Sequence, residues 1–214
     1  SREDQEAMAL ESHQKATEAQ EKGKFKEEII PINGVNDDGC VRPETSLESM
    51  AKLKPAFDKE GVVTAGTSSP LTDGAAAVIV CSKEYAEKNN LNIMAYIRGM
   101  AISGCDPEVM GIGPVKSSQK ALERAGISLE DVDVIEMNEA FAAQSLACVK
   151  ELGIDMSKLN MHGGAISMGH PLGASGARIT GKAASLLKET GKKYALSTMC
   201  VGGGQGCATV LERA

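Results

Sequence analysis

The 214 residues carry a formal net charge of −6 and are 42% hydrophobic, 24% charged and only 3% aromatic, with no Trp. A chain of this length can bury one large domain or parts of two, but it has no basic block, so both the cationic footprint and the stacking platforms of a nucleic-acid binder are lacking. No apolar run approaches the ~18 residues of a membrane span, and six cysteines without C-x-x-C spacing fit neither a zinc site nor a small disulfide scaffold.

Residues 1–22 are polar and helix-favouring, with Ser1 and Asp4 as a capping pair and Gly23 as the stop. The region 25–46 is loop-rich, with a short strand expected at 26–32. Thr45 with Glu48 reads as a capping box that opens a short helix, ended by Pro55. GVVTAG (61–66) reads as a brief strand, AAAVIVCS (75–82) as a buried apolar strand and 83–90 as a short polar helix.

After residue 92 the pattern becomes regular. A strand is expected at 93–100 and a helix at 114–125, with Val115, Leu122 and Ala125 on one face and Gly126 closing it. VDVIEM (132–137) reads as a strand, and NEAFAAQSLACVKEL (138–152) as a helix closed by Gly153. A helix over 174–189 carries Ile179, Ala183, Leu186 and Leu187. Two closing strands, 194–200 and 207–212, flank the turn VGGGQG and must run antiparallel. Apolar strands alternating with helices predict an α/β fold whose sheet is covered by helices on both faces.

Chemistry in such folds gathers at element ends. Asn138 follows an apolar strand, as an N-cap does, or as an amide that orients a water or a carbonyl oxygen. His170 stands in SMGHPLGASGAR, where small residues admit a close backbone or ligand and Pro171 fixes the chain. A loop histidine can be plain surface; on a rigid loop it suits a donor or base near neutral pH. Cys200 leaves a strand into VGGGQG, whose unshielded amides can face an oxyanion and whose thiolate can serve as base or nucleophile. Cys81, Cys148 and Cys207 read as small core hydrophobes. GGGQG precedes a strand, so it is not a dinucleotide fingerprint. Arg42, Ser49 and the TAGTSS turn add polar groups that, alone, are ordinary loop polarity.

Taken together, VTAGTSSPLTDGAAAVIV, NEAFAAQ, GGAISMGHPLGASGARI and CVGGGQG, in that order, resemble the thiolase family along the whole of 1–214. The resemblance implies a thiolase-like α/β fold with a mixed sheet, and an acyl-CoA C-acyltransferase of fatty acid metabolism. Such an enzyme cleaves 3-ketoacyl-CoA with CoA or condenses two acetyl-CoA. Coenzyme A is then a substrate, no separate cofactor or metal is implied, and a homo-oligomer is. By the same matching, Cys200 moves the C2 proton and His170 activates the acyl-accepting cysteine and donates to an oxyanion hole. Asn138 holds a water that completes this hole, and Gly202 belongs to a second one. Arg42, Ser49 and Ser69 would contact CoA, while Met110 and Phe141 would line the acyl end of the pocket. A thioester α-proton is weakly acidic, so such groups matter: one oxyanion donor contributes about 10²–10³ in rate and a general base about 10²–10⁴.

One departure stands out. The family's acyl-accepting cysteine lies in a C-x-S motif, and no such motif occurs here; Cys81-Ser82-Lys83 is not one. The chain is therefore expected to lack most of the N-terminal domain. Residues 1–70 would be the end of the CoA-binding loop region, 71–92 a returning segment of the N-terminal domain and 93–214 the C-terminal domain. Its partner would be the missing N-terminal half, and alone it would be inactive. Unpaired thiols suit a reducing compartment; cytoplasm is expected, with an organelle left open because the chain begins at Ser1. Two other readings compete. One is a stand-alone cysteine-dependent acyl-CoA hydrolase, with Cys200 as nucleophile, His170 as base and only Glu139 available to orient it. The other is a non-catalytic CoA-binding or dimerisation module.

Overall fold

The computed structural model describes all 214 residues. The chain opens with α1 (Arg2–Glu21), started by the expected capping box, in which Ser1 accepts from the Asp4 amide. The strand expected at 26–32 does not form. Residues 23–29 instead close tight turns, with the Lys26 N–H on the Gly23 carbonyl and the Glu28 N–H on the Phe25 carbonyl, and Ile30 and Ile32 stay exposed. β-branched residues favour a pleated surface only where a neighbouring strand exists to receive them.

Helix α2 (Leu47–Ala51) begins one residue later than expected. Ser46, not Thr45, caps it, and Ser49, not Glu48, completes the box. The helix ends before Pro55 can act on it. GVVTAG is not a strand either: it contributes one isolated bridge, Pro55–Thr64, and a single 3₁₀ turn at Ala65–Thr67. The largest departure is AAAVIVCS, which is irregular and exposed. Val78, Ile79 and Val80 are 45%, 85% and 71% accessible, and Cys81 is exposed rather than a core residue. Its composition suits a buried strand, but none of the four strands of the sheet pairs with it.

From α3 (Lys83–Lys88) onward the elements follow the sequence pattern, except for the short α6, which it did not predict: β1 (Ala95–Gly104), α4 (Gly113–Ala125), β2 (Val134–Met137), α5 (Ala142–Leu152), α6 (Ala165–Met168), α7 (Ser175–Thr190), β3 (Tyr194–Val201) and β4 (Gln205–Arg213). Gly126 and Gly153 adopt left-handed φ of 70° and 73° and close α4 and α5 as expected. Helix α5 starts four residues after Asn138. Phe141 occupies its N-cap in extended conformation, so Asn138 is not a cap.

The strand order is β1-β4-β3-β2, with β2 parallel to β3 and β4 antiparallel to both its neighbours. Alternation along the strands sorts side chains to two faces. Ile135, Met137, Leu196 and Val210 pack with Ala121, Leu122, Cys148 and Met8, which places α4, α5 and α1 on one face. Val134, Ala195 and Leu211 pack with Ala183, Leu186 and Leu187 of α7 on the other. The sheet is thus mixed and covered on both faces. Gly176 approaches Met199, Thr180 Oγ1 lies 3.1 Å from Ser197 Oγ, and Ala183 meets Ala195. Helix α7 therefore starts at the C-terminal ends of β2 and β3 and runs back along them.

Candidate functional site

Because β2 and β3 are parallel and α7 begins where they end, three turns open at one end of the sheet. The first carries Asn138. Its N–H donates to the Thr198 carbonyl at 3.0 Å, which continues the ladder one residue past β2. The side chain is 0% exposed, yet neither Oδ1 nor Nδ2 meets a partner in the chain. Each such group costs about 1–3 kcal/mol when left unmade, a cost recovered when a water or carbonyl oxygen comes within reach. The backbone just before it is held by Asn160, whose Oδ1 accepts from the Met137 N–H and whose Nδ2 donates to the Met137 carbonyl, both at 2.9 Å.

The second turn carries His170. Its N–H donates to Thr72 Oγ1 at 3.2 Å. The ring Nδ1 lies 2.6 Å from Ser175 Oγ, whose proton goes to the Pro171 carbonyl at 3.1 Å. With the hydroxyl proton committed there, Nδ1 is the donor and Nε2 keeps its lone pair. Partial burial, and then the positive charge of Arg178, hold the imidazole below its ordinary 6.5. At neutral pH His170 is therefore an uncharged imidazole.

The third turn follows Cys200, which is 5% exposed and sits opposite Gly206 on β4. Burial pushes its thiol above the ordinary value, partly opposed by its own backbone amide. Gly202, two residues on, is exposed with open space around its Cα, so its surroundings leave room for a ligand oxygen.

Ser69 and Phe141 meet at the start of this region. The Ser69 N–H and Oγ both donate to the Ala140 carbonyl, at 3.1 and 3.2 Å, and the Phe141 ring stands edge-on to Phe57 at 5.8 Å. Met110 is half-buried in the 3₁₀ stretch Pro107–Ile112, whose Gly111 carbonyl accepts from Cys148 Sγ of α5 at 3.3 Å. Arg42 and Ser49 are held by α1 and α2 instead. The Arg42 N–H donates to His13 Nδ1 at 3.2 Å, and the Ser49 hydroxyl donates to the Ser46 carbonyl at 2.8 Å. Glu139 does not orient His170: its carboxylate accepts from Ser12, Asn160 and Ile166. The hydrolase reading thereby loses its orienting carboxylate, and Ser175 holds the imidazole.

Asn160, Thr72 and Ser175 escaped the sequence reading. Ser175 lay in plain view within GASG, five residues after His170. Asn160, at a φ of 44°, and Thr72 act across sequence separations of 23 and 98 residues, which no local pattern reports.

A family model described as thiolase, C-terminal domain, matches residues 91–213, and one described as thiolase, N-terminal domain, matches residues 1–84. The chain is 53% identical to a 3-ketoacyl-CoA thiolase of Vibrio vulnificus, over 100% of this chain and 58% of that protein. It is 51% identical to a 3-ketoacyl-CoA thiolase of Marinobacter nauticus, over 99% of this chain and 58% of the relative. The crystal structure of human mitochondrial 3-ketoacyl-CoA thiolase superposes with a TM-score of 0.97 at 46% identity, covering 100% of this chain and 56% of that one. That of Bacillus anthracis acetyl-CoA acetyltransferase gives 0.96 at 43%, with 100% and 56% covered. The chain thus spans a little over half the length of the curated relatives it matches.

Proposed function

The chain belongs to the thiolase family, and on that premise we propose that it supplies the base, histidine and asparagine of an acyl-CoA C-acyltransferase site, for thiolysis of 3-ketoacyl-CoA and the reverse condensation of acetyl-CoA. The observation that carries this reading is the buried, unpartnered Asn138 amide, at the same sheet end as His170 and Cys200. His170 Nε2 takes the proton of an acyl-accepting thiol, and the thiolate attacks the acyl carbon. The imidazolium then donates from Nε2 to the thioester oxygen, alongside a water held by Asn138. CoA leaves as its thiolate and takes the proton of Cys200; the Cys200 thiolate so formed takes the C2 proton of the second acetyl-CoA, and the amide of Gly202 faces the enolate oxygen. The resulting carbanion attacks the acyl thioester, and the departing thiolate takes its proton back from the His170 imidazolium to regenerate the first thiol. Arg42, Ser49 and Ser69 contact CoA, and Met110 and Phe141 line the acyl end.

The acyl-accepting cysteine comes from a segment outside this chain. Three observations support that step: the absence of a C-x-S motif, the 58% span of the relative, and the unpaired apolar run Val78–Val80. Residues 1–70 then belong to the CoA-binding loop region, 71–92 to the N-terminal domain and 93–214 to the C-terminal domain. A homo-oligomer and a cytoplasmic setting complete the proposal. The test mixes the chain with the N-terminal segment of a relative and measures thiolysis of acetoacetyl-CoA. Activity should appear only in the mixture and fall at least about 100-fold in Cys200→Ala or His170→Asn. Activity of the chain alone, or of the mixture without Cys200 at an unchanged rate, overturns the reading.

A further inference from the structure

The group most heavily engaged near the site has no part in the chemistry above. Glu139 is 2% exposed, directly follows Asn138, and collects three donors from three separate parts of the chain. Oε1 accepts from Asn160 Nδ2 at 2.7 Å; Oε2 accepts from Ser12 Oγ at 2.7 Å and from the Ile166 N–H at 3.2 Å. The carboxylate lies flat against the Gly164 backbone, where a Cβ would overlap it. Ser12 also accepts from the Gly164 N–H at 3.1 Å.

These bonds connect the two turns of interest. Asn160, which holds Glu139, also grips both backbone groups of Met137, one residue before Asn138. Ile166 belongs to α6, whose last residue, Met168, is separated from His170 only by Gly169. Ser12 lies midway along α1 and ties both to that helix. We propose that Glu139 is a positioning residue that fixes the Asn138 turn and the His170 turn relative to each other through Asn160, α6 and Ser12. This deepens the reading of Asn138 and His170 as partners around one thioester and rests on it.

All three partners donate, so the group must accept at both oxygens. Glu139→Gln converts one oxygen to an amide donor, and whichever way it turns at least one partner is opposed. Ser12→Ala removes one donor to Glu139 together with the acceptor of the Gly164 N–H, on another helix, and leaves the site residues in place. In the chain completed by a relative's N-terminal segment, Glu139→Gln should lower kcat by about 10-fold or more with KM for acyl-CoA within twofold, since misplacement near 1 Å can cost ~10² in rate. Ser12→Ala should lower kcat in the same sense by less. Rates are compared at equal folded fraction, read from thermal melting, because a carboxylate that merely supports the fold lowers that fraction and leaves kcat per folded molecule unchanged. Unchanged kcat per folded molecule in Glu139→Gln overturns the proposal. Should the unsubstituted mixture show no thiolysis, the functional reading fails by itself. The His170 ring resonances and exchange at the Ile166 amide then decide: both moving in Glu139→Gln and Ser12→Ala upholds the coupling, and unmoved His170 resonances refute it.

Discussion

At the level of single residues, the site's resting state is set by burial. Cys200 is held as a thiol and His170 as a neutral imidazole, so in the proposed reaction the two do not start as an ion pair. The tautomer of His170 depends on Ser175, whose own proton is committed to Pro171. Ser175→Ala should free Nδ1, let the ring turn, and lower kcat of the completed enzyme by about 10-fold or more, as loss of an oriented base does. The acid limb of the pH–rate profile should have its midpoint below 6.5. Burial is the larger cause of that depression and Arg178 the smaller. Removing the cation in Arg178→Gln therefore moves the midpoint upward, part of the way toward 6.5. A midpoint that stays put or falls would show that Arg178 does not act on His170.

At the level of elements, one close backbone contact holds the sheet end in shape. A Cβ on Gly206 would overlap the Gly113 carbonyl, where β4 passes under the start of α4. Gly202 faces open space. Gly206→Ala should lower the melting temperature clearly, while Gly202→Ala leaves it within error. On the other face, Leu186 is fully buried in the α7 cluster, and Leu186→Ala should cost about 2–5 kcal/mol in denaturant unfolding. These same elements were the legible part of the sequence. Periodicity, caps and glycine stops placed α4, β2, α7, β3 and β4 to within a few residues, because each carries its own apolar face and finds its partner within residues 93–214. Residues 25–82 read poorly for the opposite reason. GVVTAG and AAAVIVCS have strand composition, and what decides a strand is the neighbour, which composition does not encode. Of the candidate site, motif glycines pointed to His170 and Cys200; Asn138 was legible as a candidate, but its lack of any partner emerged only from the packing around it.

For the whole molecule, the unpaired run at 78–80 and the three imidazoles govern behaviour in solution. Ile79 is 85% exposed, so Ile79→Lys should leave the melting temperature of the chain alone unchanged while weakening its completion by a relative's N-terminal segment, measured as the segment concentration giving half-maximal thiolysis. The pH dependence of stability follows from opposed titrations. His13, His162 and His170 all lie below 6.5 in the folded chain, burial being the largest cause in each. Arg42 at His13, Lys182 and Lys24 at His162, and Arg178 at His170 add to it, and Glu44, Glu189 and Glu28 oppose it. As pH falls through 6.5 the unfolded chain binds these protons first, so stability declines on acidification. Glu136 works the other way. Burial lifts its carboxyl from 4.5 to about 8, so between those values the folded chain holds a proton that the unfolded chain has released, and stability declines as pH rises across that window. Buried Glu139 and half-buried Asp38 are raised as well and contribute in the same sense. Glu136→Gln leaves the histidine slope intact and removes one part of the other. Thermal melts from pH 5 to 9 should therefore show the unsubstituted chain losing stability between pH 6.5 and 8, and the variant losing less there. An equally steep decline in the variant between pH 6.5 and 8 would assign that slope to other groups.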